Sequence, residues 1–138
     1  PLSILFWGPP GCGKTTLARL YAKSFEAAFL SLSAVASGTS DLRKIIDEIE
    51  SKPLFHKLTF LFIDEIHRYN KNQQDLILPY LEKGTFILIG ATTENPSFSL
   101  NNALLSRLRV LTLNALSEDA LGMLLKKYES RYSPLNLT

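Results

Sequence analysis

Gly8-Pro9-Pro10-Gly11-Cys12-Gly13-Lys14-Thr15 is the stretch on which the fold turns. It fits GxxxxGK[ST], the pattern of a phosphate-binding loop. It stands between the apolar run Ser3 to Trp7 and a segment carrying Leu17, Leu20 and Tyr21 at helical spacing, which is the strand-loop-helix setting the pattern needs. Glycines let successive N–H groups turn inward around a triphosphate without Cβ collisions, and the helix that follows offers its positive end. Lys14 is then expected to reach the β and γ phosphates, and the Thr15 hydroxyl to ligate Mg²⁺. Gly8, Pro9, Pro10, Gly11, Cys12, Gly13, Lys14, Thr15 and Thr16 form the expected nucleotide-binding set, with ATP and Mg²⁺ as cofactors. Cys12 occupies a variable position of the loop and is expected to pack or to face solvent rather than to act as a redox switch.

Outward from the loop, short apolar runs alternate with segments of helical period, the pattern of an α/β domain with a parallel sheet. Five strands are predicted: Ser3 to Trp7, Ala28 to Ser33, Thr59 to Ile63, Thr85 to Gly90 and Val110 to Leu113. Several are apolar throughout, as strands covered on both faces should be. Leu42, Ile45, Ile46 and Ile49 predict a helix with Ser40 as its N-cap and Asp41 near the positive end of its dipole. Another helix is expected from Asn72 to Lys83, ending at Gly84 and bent at Pro79. A last helix should start near Ser117, with Leu121, Leu124, Leu125 and Tyr128 on one face.

Bulk composition narrows the function. At 138 residues the chain is long enough for one domain with a real core and too short for a second of ordinary size. No apolar run spans a bilayer, so a membrane role is set aside. Fifteen basic and thirteen acidic side chains leave a net charge of +2, too small to predict nucleic acid binding by itself. One cysteine cannot form an internal disulfide, which suits a reducing compartment. The chain starts with Pro1 and its sole methionine is Met123, so a fragment of a longer protein is expected.

A second motif completes the chemistry. The apolar run Phe60-Leu61-Phe62-Ile63 ends in Asp64-Glu65. Open α/β sheets bind ligands beyond the carboxyl ends of their strands, so this pair should meet the phosphate loop. Asp64 is expected to hold Mg²⁺ directly or through water, and Glu65 to orient and deprotonate the water that attacks the γ-phosphate. His67 makes the string resemble the DExH box of helicases, but a two-lobed helicase does not fit in this length, and His67 is read as a residue that starts a helix. The fourth strand runs into Ala91-Thr92-Thr93-Glu94-Asn95, where Thr93 or Asn95 could bind the attacking water or the γ-phosphate if strands three and four are neighbours. Arg107 and Arg109 precede strand five, and one of them could serve a neighbouring subunit as an arginine finger.

Four strings together resemble one family: WGPPGCGKTTLA at 7–18, LFIDEIHRYNKNQQD at 61–75, LIGATTENPSF at 88–98 and ALLSRLRV at 103–110. They are similar to the AAA+ ATPases of the RarA/MgsA group, which includes the Werner-helicase-interacting ATPase of eukaryotes. The resemblance implies a P-loop NTPase fold with a five-stranded parallel sheet ordered 5-1-4-3-2 and helices on both faces. It divides the chain into an AAA+ core over 1–115 and, over 116–138, the start of a helical lid region or a C-terminal helix. Thr93 takes the place of sensor 1 and Arg107 that of the finger in the Ser-Arg-Cys box, although Leu108 replaces the cysteine of the clamp-loader form.

The implied activity is that of a DNA-dependent ATPase in replication-fork maintenance and recombination, acting as a homo-oligomer on single-stranded gaps or duplex ends. Its location would be cytoplasmic and nucleoid-associated in a bacterium, or nuclear in a eukaryote. Rival readings are a clamp-loading or branch-migrating AAA+ subunit and an ATP-gated scaffold with slow turnover. The family's N-terminal adenine-holding segment, its lid with the sensor 2 arginine and its oligomerisation part do not fit in this chain. Weak ATP binding and poor hydrolysis are therefore expected of residues 1–138 alone.

Overall fold

The computed structural model describes residues 1–51 and 58–114. Five parallel strands, β1 (Ile4–Trp7), β2 (Ala28–Ser33), β3 (Thr59–Asp64), β4 (Ile87–Thr92) and β5 (Arg109–Thr112), form one sheet in the order β2-β3-β4-β1-β5. Read from the other edge this is 5-1-4-3-2, the expected order. The helices are α1 (Lys14–Ser24), α2 (Thr39–Glu50), α3 (Lys71–Lys83) and two short ones, α4 (Pro96–Ser99) and α5 (Asn102–Leu105). A 3-10 turn at Ile66–Arg68 follows β3. No helix among the described residues is long and apolar enough to cross a membrane. The helix expected from Ser117 lies outside the described residues.

Side chains of a strand point alternately to its two faces, and here each face builds its own core. Ile4 and Phe6 of β1, Phe60 and Phe62 of β3, and Ile89 and Ala91 of β4 pack with Leu17, Ala18, Tyr21 and Ala22 of α1. Tyr21 stacks on Phe60 with ring centroids 5.3 Å apart. On the opposite face Leu5, Leu61, Ile63 and Leu88 pack with Leu42, Ile46 and Ile49 of α2 and Ile77 of α3. Burying each such side chain contributes roughly 1.5–3 kcal/mol, so a charge at Leu5 or Ile63, both fully buried, would unfold the sheet. The runs at β1 and β3 are apolar without a break because helices cover both faces.

Several boundaries differ from the expected ones, each for a local reason. The second helix starts at Thr39, not after Ser40: Gly38 is its N-cap, and the Asp41 carboxylate accepts the Gly38 N–H at 3.0 Å. Asp41 keeps its place in the first turn. The third helix gains one residue because Asn70 caps it, accepting from Gln73 N–H at 2.9 Å while Gln73 accepts from Asn70 N–H at 2.9 Å. It ends at Gly84, as expected, and runs through Pro79 as one helix. Strand β4 runs two residues further than predicted, and β3 one further, so Thr92 and Asp64 belong to the sheet.

The candidate nucleotide cleft

Strand order decides which loops can meet. In this sheet β4 lies between β1 and β3, so the end of β4 falls between the phosphate loop and the acidic pair. Trp7 pairs with Thr92 and Ile63 with Gly90, which sets the three strand ends level with one another. Asp64 shares the parity of Phe60 and Phe62 on β3, and those two side chains face α1. Its carboxylate is therefore on the side of the sheet where α1 begins.

The loop itself is shaped by backbone geometry. Gly13 has φ +91 and is the N-cap of α1, with Gly11 also left-handed at φ +76; side chains rarely tolerate that region. Gly8 has a different reason to be glycine. It is clamped between neighbouring strand ends, donating its N–H to Thr92 O at 3.1 Å, and a Cβ there would collide with the Leu113 carbonyl and stand 2.9 Å from Cys12 Sγ. The Lys14 ammonium donates to the carbonyl oxygens of Gly8 and Pro9, each at 2.8 Å, and lies 3.7 Å from Cys12 Sγ. Cys12 is buried in the core cluster that includes Leu113, so of the two placements expected of it the packed one holds and not the solvent-facing one.

An open cleft of about 410 Å³ results, lined by Pro10, Gly11, Gly13, Lys14, Thr15, Thr16, Asp64, Glu65, Thr92 and Thr93. That volume is in the range of small-molecule sites. Most of the residues singled out in the sequence thus share one wall or another of a single cavity. Gly8, Pro9 and Cys12 support the loop without lining the cleft. Oxygen donors of Thr15 and Asp64 face the same space, a donor set that suits a hard divalent cation such as Mg²⁺. Asp64 Oδ1 accepts the Glu65 N–H at 3.0 Å, which leaves Oδ2 for other partners.

Glu65 sits in an unusual backbone. Its φ of 52 and ψ of 45 are left-handed, a conformation costing about 1–2 kcal/mol for a residue with a side chain. The chain makes that turn directly after β3, so the carboxylate is carried on a sharp corner at the mouth of the cleft.

Two other expectations separate. Thr93 lines the cleft, whereas Asn95 does not: its carboxamide oxygen caps α4, accepting from Ser97 N–H at 3.0 Å and Ser97 Oγ at 2.7 Å. Thr92 also lines the cleft, and single-residue reading of the segment missed it because the strand was expected to stop at Gly90. Arg107 is exposed after α5 and 3.6 Å from Glu82 of α3, outside its own chain's cleft. His67 is in the 3-10 turn rather than at the start of a helix, and its ring bonds Thr92.

Comparison with known proteins agrees with this architecture. Residues 4–115 match the family described as "ATPase family associated with various cellular activities (AAA)". Replication-associated recombination protein A of Haemophilus influenzae is 52% identical over 125 residues, which are 91% of this chain and 28% of that protein. ATPase WRNIP1 of Dictyostelium discoideum is 54% identical over 125 residues, 91% of this chain and 14% of that protein. Among solved structures, the Thermotoga maritima RuvB Holliday junction branch migration motor superposes with a TM-score of 0.66 at 32% identity, over 94% of this chain and 43% of that one. The chain therefore spans less than a third of the length of these two curated relatives. With a match across most of its length and a phosphate loop set level with an acidic strand end on a parallel sheet, the chain belongs to the AAA family of ATPases.

Proposed function

We propose that this chain is the ATP-binding and hydrolysing core of a DNA-dependent ATPase that acts in replication-fork maintenance and recombination. The supporting observation is the convergence of Lys14, Thr15, Asp64, Glu65 and Thr93 on one cleft. In this reading the backbone N–H groups from Gly8 to Thr16 cradle the phosphates, and Lys14 exchanges its loop carbonyls for the β and γ phosphates. Thr15 and Asp64 would hold Mg²⁺, which would neutralise phosphate charge when bound. Glu65 orients and deprotonates the attacking water, and Thr93 senses the γ-phosphate from the neighbouring strand.

Arg107 serves the adjacent subunit of a homo-oligomer, neutralising charge as the phosphoryl group transfers. Its exposure and its place away from its own cleft favour a partner in another chain. The proposed work on DNA rests on the roughly 50% identity to proteins named for replication and recombination, against 32% for the branch migration motor. A place in the cytoplasm with the nucleoid, or in the nucleus, accompanies that reading.

The test is the ATPase rate of the full-length protein alone and with single strands, blunt duplexes and gapped duplexes. Stimulation by gaps or ends, abolished in Glu65→Gln, is expected. An ATPase indifferent to every DNA would remove the DNA assignment, and biological function that survives Glu65→Gln while Lys14→Ala loses it would favour an ATP-gated scaffold.

A further inference from the structure

His67 follows the acidic pair closely in sequence, yet its ring reaches a different strand. Nδ1 lies 2.8 Å from Thr92 Oγ1, and Thr92 is fully buried at the end of β4. The same hydroxyl accepts the Glu94 N–H at 3.0 Å and stands 3.3 Å from the Glu94 carbonyl oxygen. The Thr92 hydroxyl and Nδ1 share one hydrogen bond, whose donor follows from the tautomer of the ring. Nε2 of the same ring stands 4.0 Å from a Glu94 carboxylate oxygen. The His67 side chain is 6% exposed and Thr92 is fully buried, so the bond between them is made out of water, whereas the Glu94 side chain is 60% exposed.

This arrangement ties two segments that the sheet alone does not join. On one side the 3-10 turn is capped by Glu65 in its left-handed conformation. On the other, Thr92 is followed at once by Thr93, which faces the cleft. Ile66 anchors the turn by apolar packing at Gly90, where an added Cβ would stand 3.4 Å from its side chain. Such packing resists separation but gives little direction, whereas a hydrogen bond to a buried hydroxyl fixes orientation.

We propose that His67 is a positioning residue for hydrolysis: its bond to Thr92 sets Glu65 and Thr93 relative to each other across the cleft. The inference rests on the ATPase reading above. Among the described residues the polar partners of the ring are Thr92 and Glu94, at and just past the end of β4 and not on the phosphate loop, so the ring acts on the geometry of the hydrolytic step rather than on nucleotide binding.

The experiment is steady-state ATPase kinetics on the full-length protein carrying His67→Ala, His67→Asn, Thr92→Val and the pair His67→Ala with Thr92→Val. Misplacing catalytic groups by about 1 Å costs up to about a hundredfold, so His67→Ala and Thr92→Val should each lower kcat by about tenfold or more. KM for ATP should stay within about twofold, the signature of an interaction used in the transition state only. Asn keeps a hydrogen-bonding group near the place of Nδ1 and should recover most of the rate, and the double variant should be no slower than the slower single one. The proposal is overturned if His67→Ala keeps its kcat, if only KM moves, if Asn is no better than Ala, or if the two single losses multiply. Should the Ala variant fail to fold, Asn and Thr92→Val decide the matter. A wild-type protein without ATPase activity would instead remove the functional reading and this inference with it, whereas an active wild type with indifferent His67 variants removes the inference alone.

Discussion

The ammonium of Lys14 donates to the carbonyl oxygen of Gly8 at 2.8 Å, so the phosphate loop is closed by its own cation. A second bond, to Pro9 O, completes the hold. Binding of a triphosphate must exchange these neutral acceptors for charged ones, and charge-assisted bonds are about twice as strong. Lys14→Met, which keeps the stem and removes the charge, should therefore weaken binding of a fluorescent ATP analogue by roughly 10- to 100-fold, as expected for one or two bonds to charged oxygens. The melting temperature of the nucleotide-free protein should hardly move, because one of the two lost bonds is exposed and the other only partly buried. Unchanged affinity would mean that Lys14 stays on its loop and does not meet phosphate.

Among the described residues two glutamates carry positive φ, and they have different surroundings. Glu26 follows α1 at φ 52, exposed on the surface, while Glu65 has the same φ at the cleft. Replacing either by glycine relieves left-handed strain, although glycine also loosens the unfolded chain, so a net gain of up to about 1 kcal/mol is expected at each. Glu26→Gly should keep full ATPase activity. Glu65→Gly should gain stability yet lose hydrolysis by a hundredfold or more, the usual order for removing a general base. Urea denaturation read beside ATPase rates checks both; a Glu65→Gly protein that is less stable than wild type would show that the corner is held by its side chain.

Tyr69 offers a pH dependence. Burial pushes its phenol up from its ordinary 10.0 to about 12, with the nearby Asp41 charge adding to the effect. The hydroxyl finds no hydrogen-bond partner among the described residues. Because the folded-state value is raised, the stability tied to the neutral phenol is complete below about pH 10 and is lost as pH rises towards 12. The slope should approach about 1.4 kcal/mol per pH unit within that window. Tyr69→Phe should remove this component and cost nothing at neutral pH, as no bond is broken. Urea midpoints of both proteins between about pH 9 and about pH 11.5 make the comparison, and parallel curves would rule out ionisation of Tyr69 as the cause.

The loop, the strands and the acidic pair were legible because each is local. Gly11, Gly13, Lys14 and Thr15 are read by their spacing, and Phe60 to Asp64 by an apolar run that stops at a charge. The strand order came from resemblance, since local spacing does not say that β4 sits between β1 and β3. What spacing could not supply was contact across that order. His67 reads as a residue that starts a helix, and only the pairing of β3 with β4 brings Thr92 to its ring. The same limit applied to Gly38: Ser40 is the better cap by residue type, but the reach of Asp41 back to the Gly38 N–H sets the start of the helix. The turns α4 and α5 are held by Asn95 and Asn101 side chains and by Gln74, whose amide bonds Ser99 O and Asn101 N–H from another helix. Four-residue helices of this kind leave no periodicity to read.

Arg107 supplies the sharpest test of assembly. Its ion pair with Glu82 is about half exposed on both sides and is worth at most about 1 kcal/mol, so the guanidinium is free to leave for a better partner. Arg107→Ala should then leave the melting temperature almost unchanged and remove most of the ATPase activity, since an arginine finger is worth roughly 10³–10⁵ in rate. Glu65→Gln should be inactive for a different reason, having lost the base but kept the finger. If the finger acts on the adjacent subunit, mixing the two inactive full-length proteins creates interfaces where an intact Glu65 faces an intact Arg107, and activity returns in proportion to those interfaces. A mixture as inactive as its components, with mixed oligomers confirmed by mass, would mean that Arg107 serves only its own chain or no site at all.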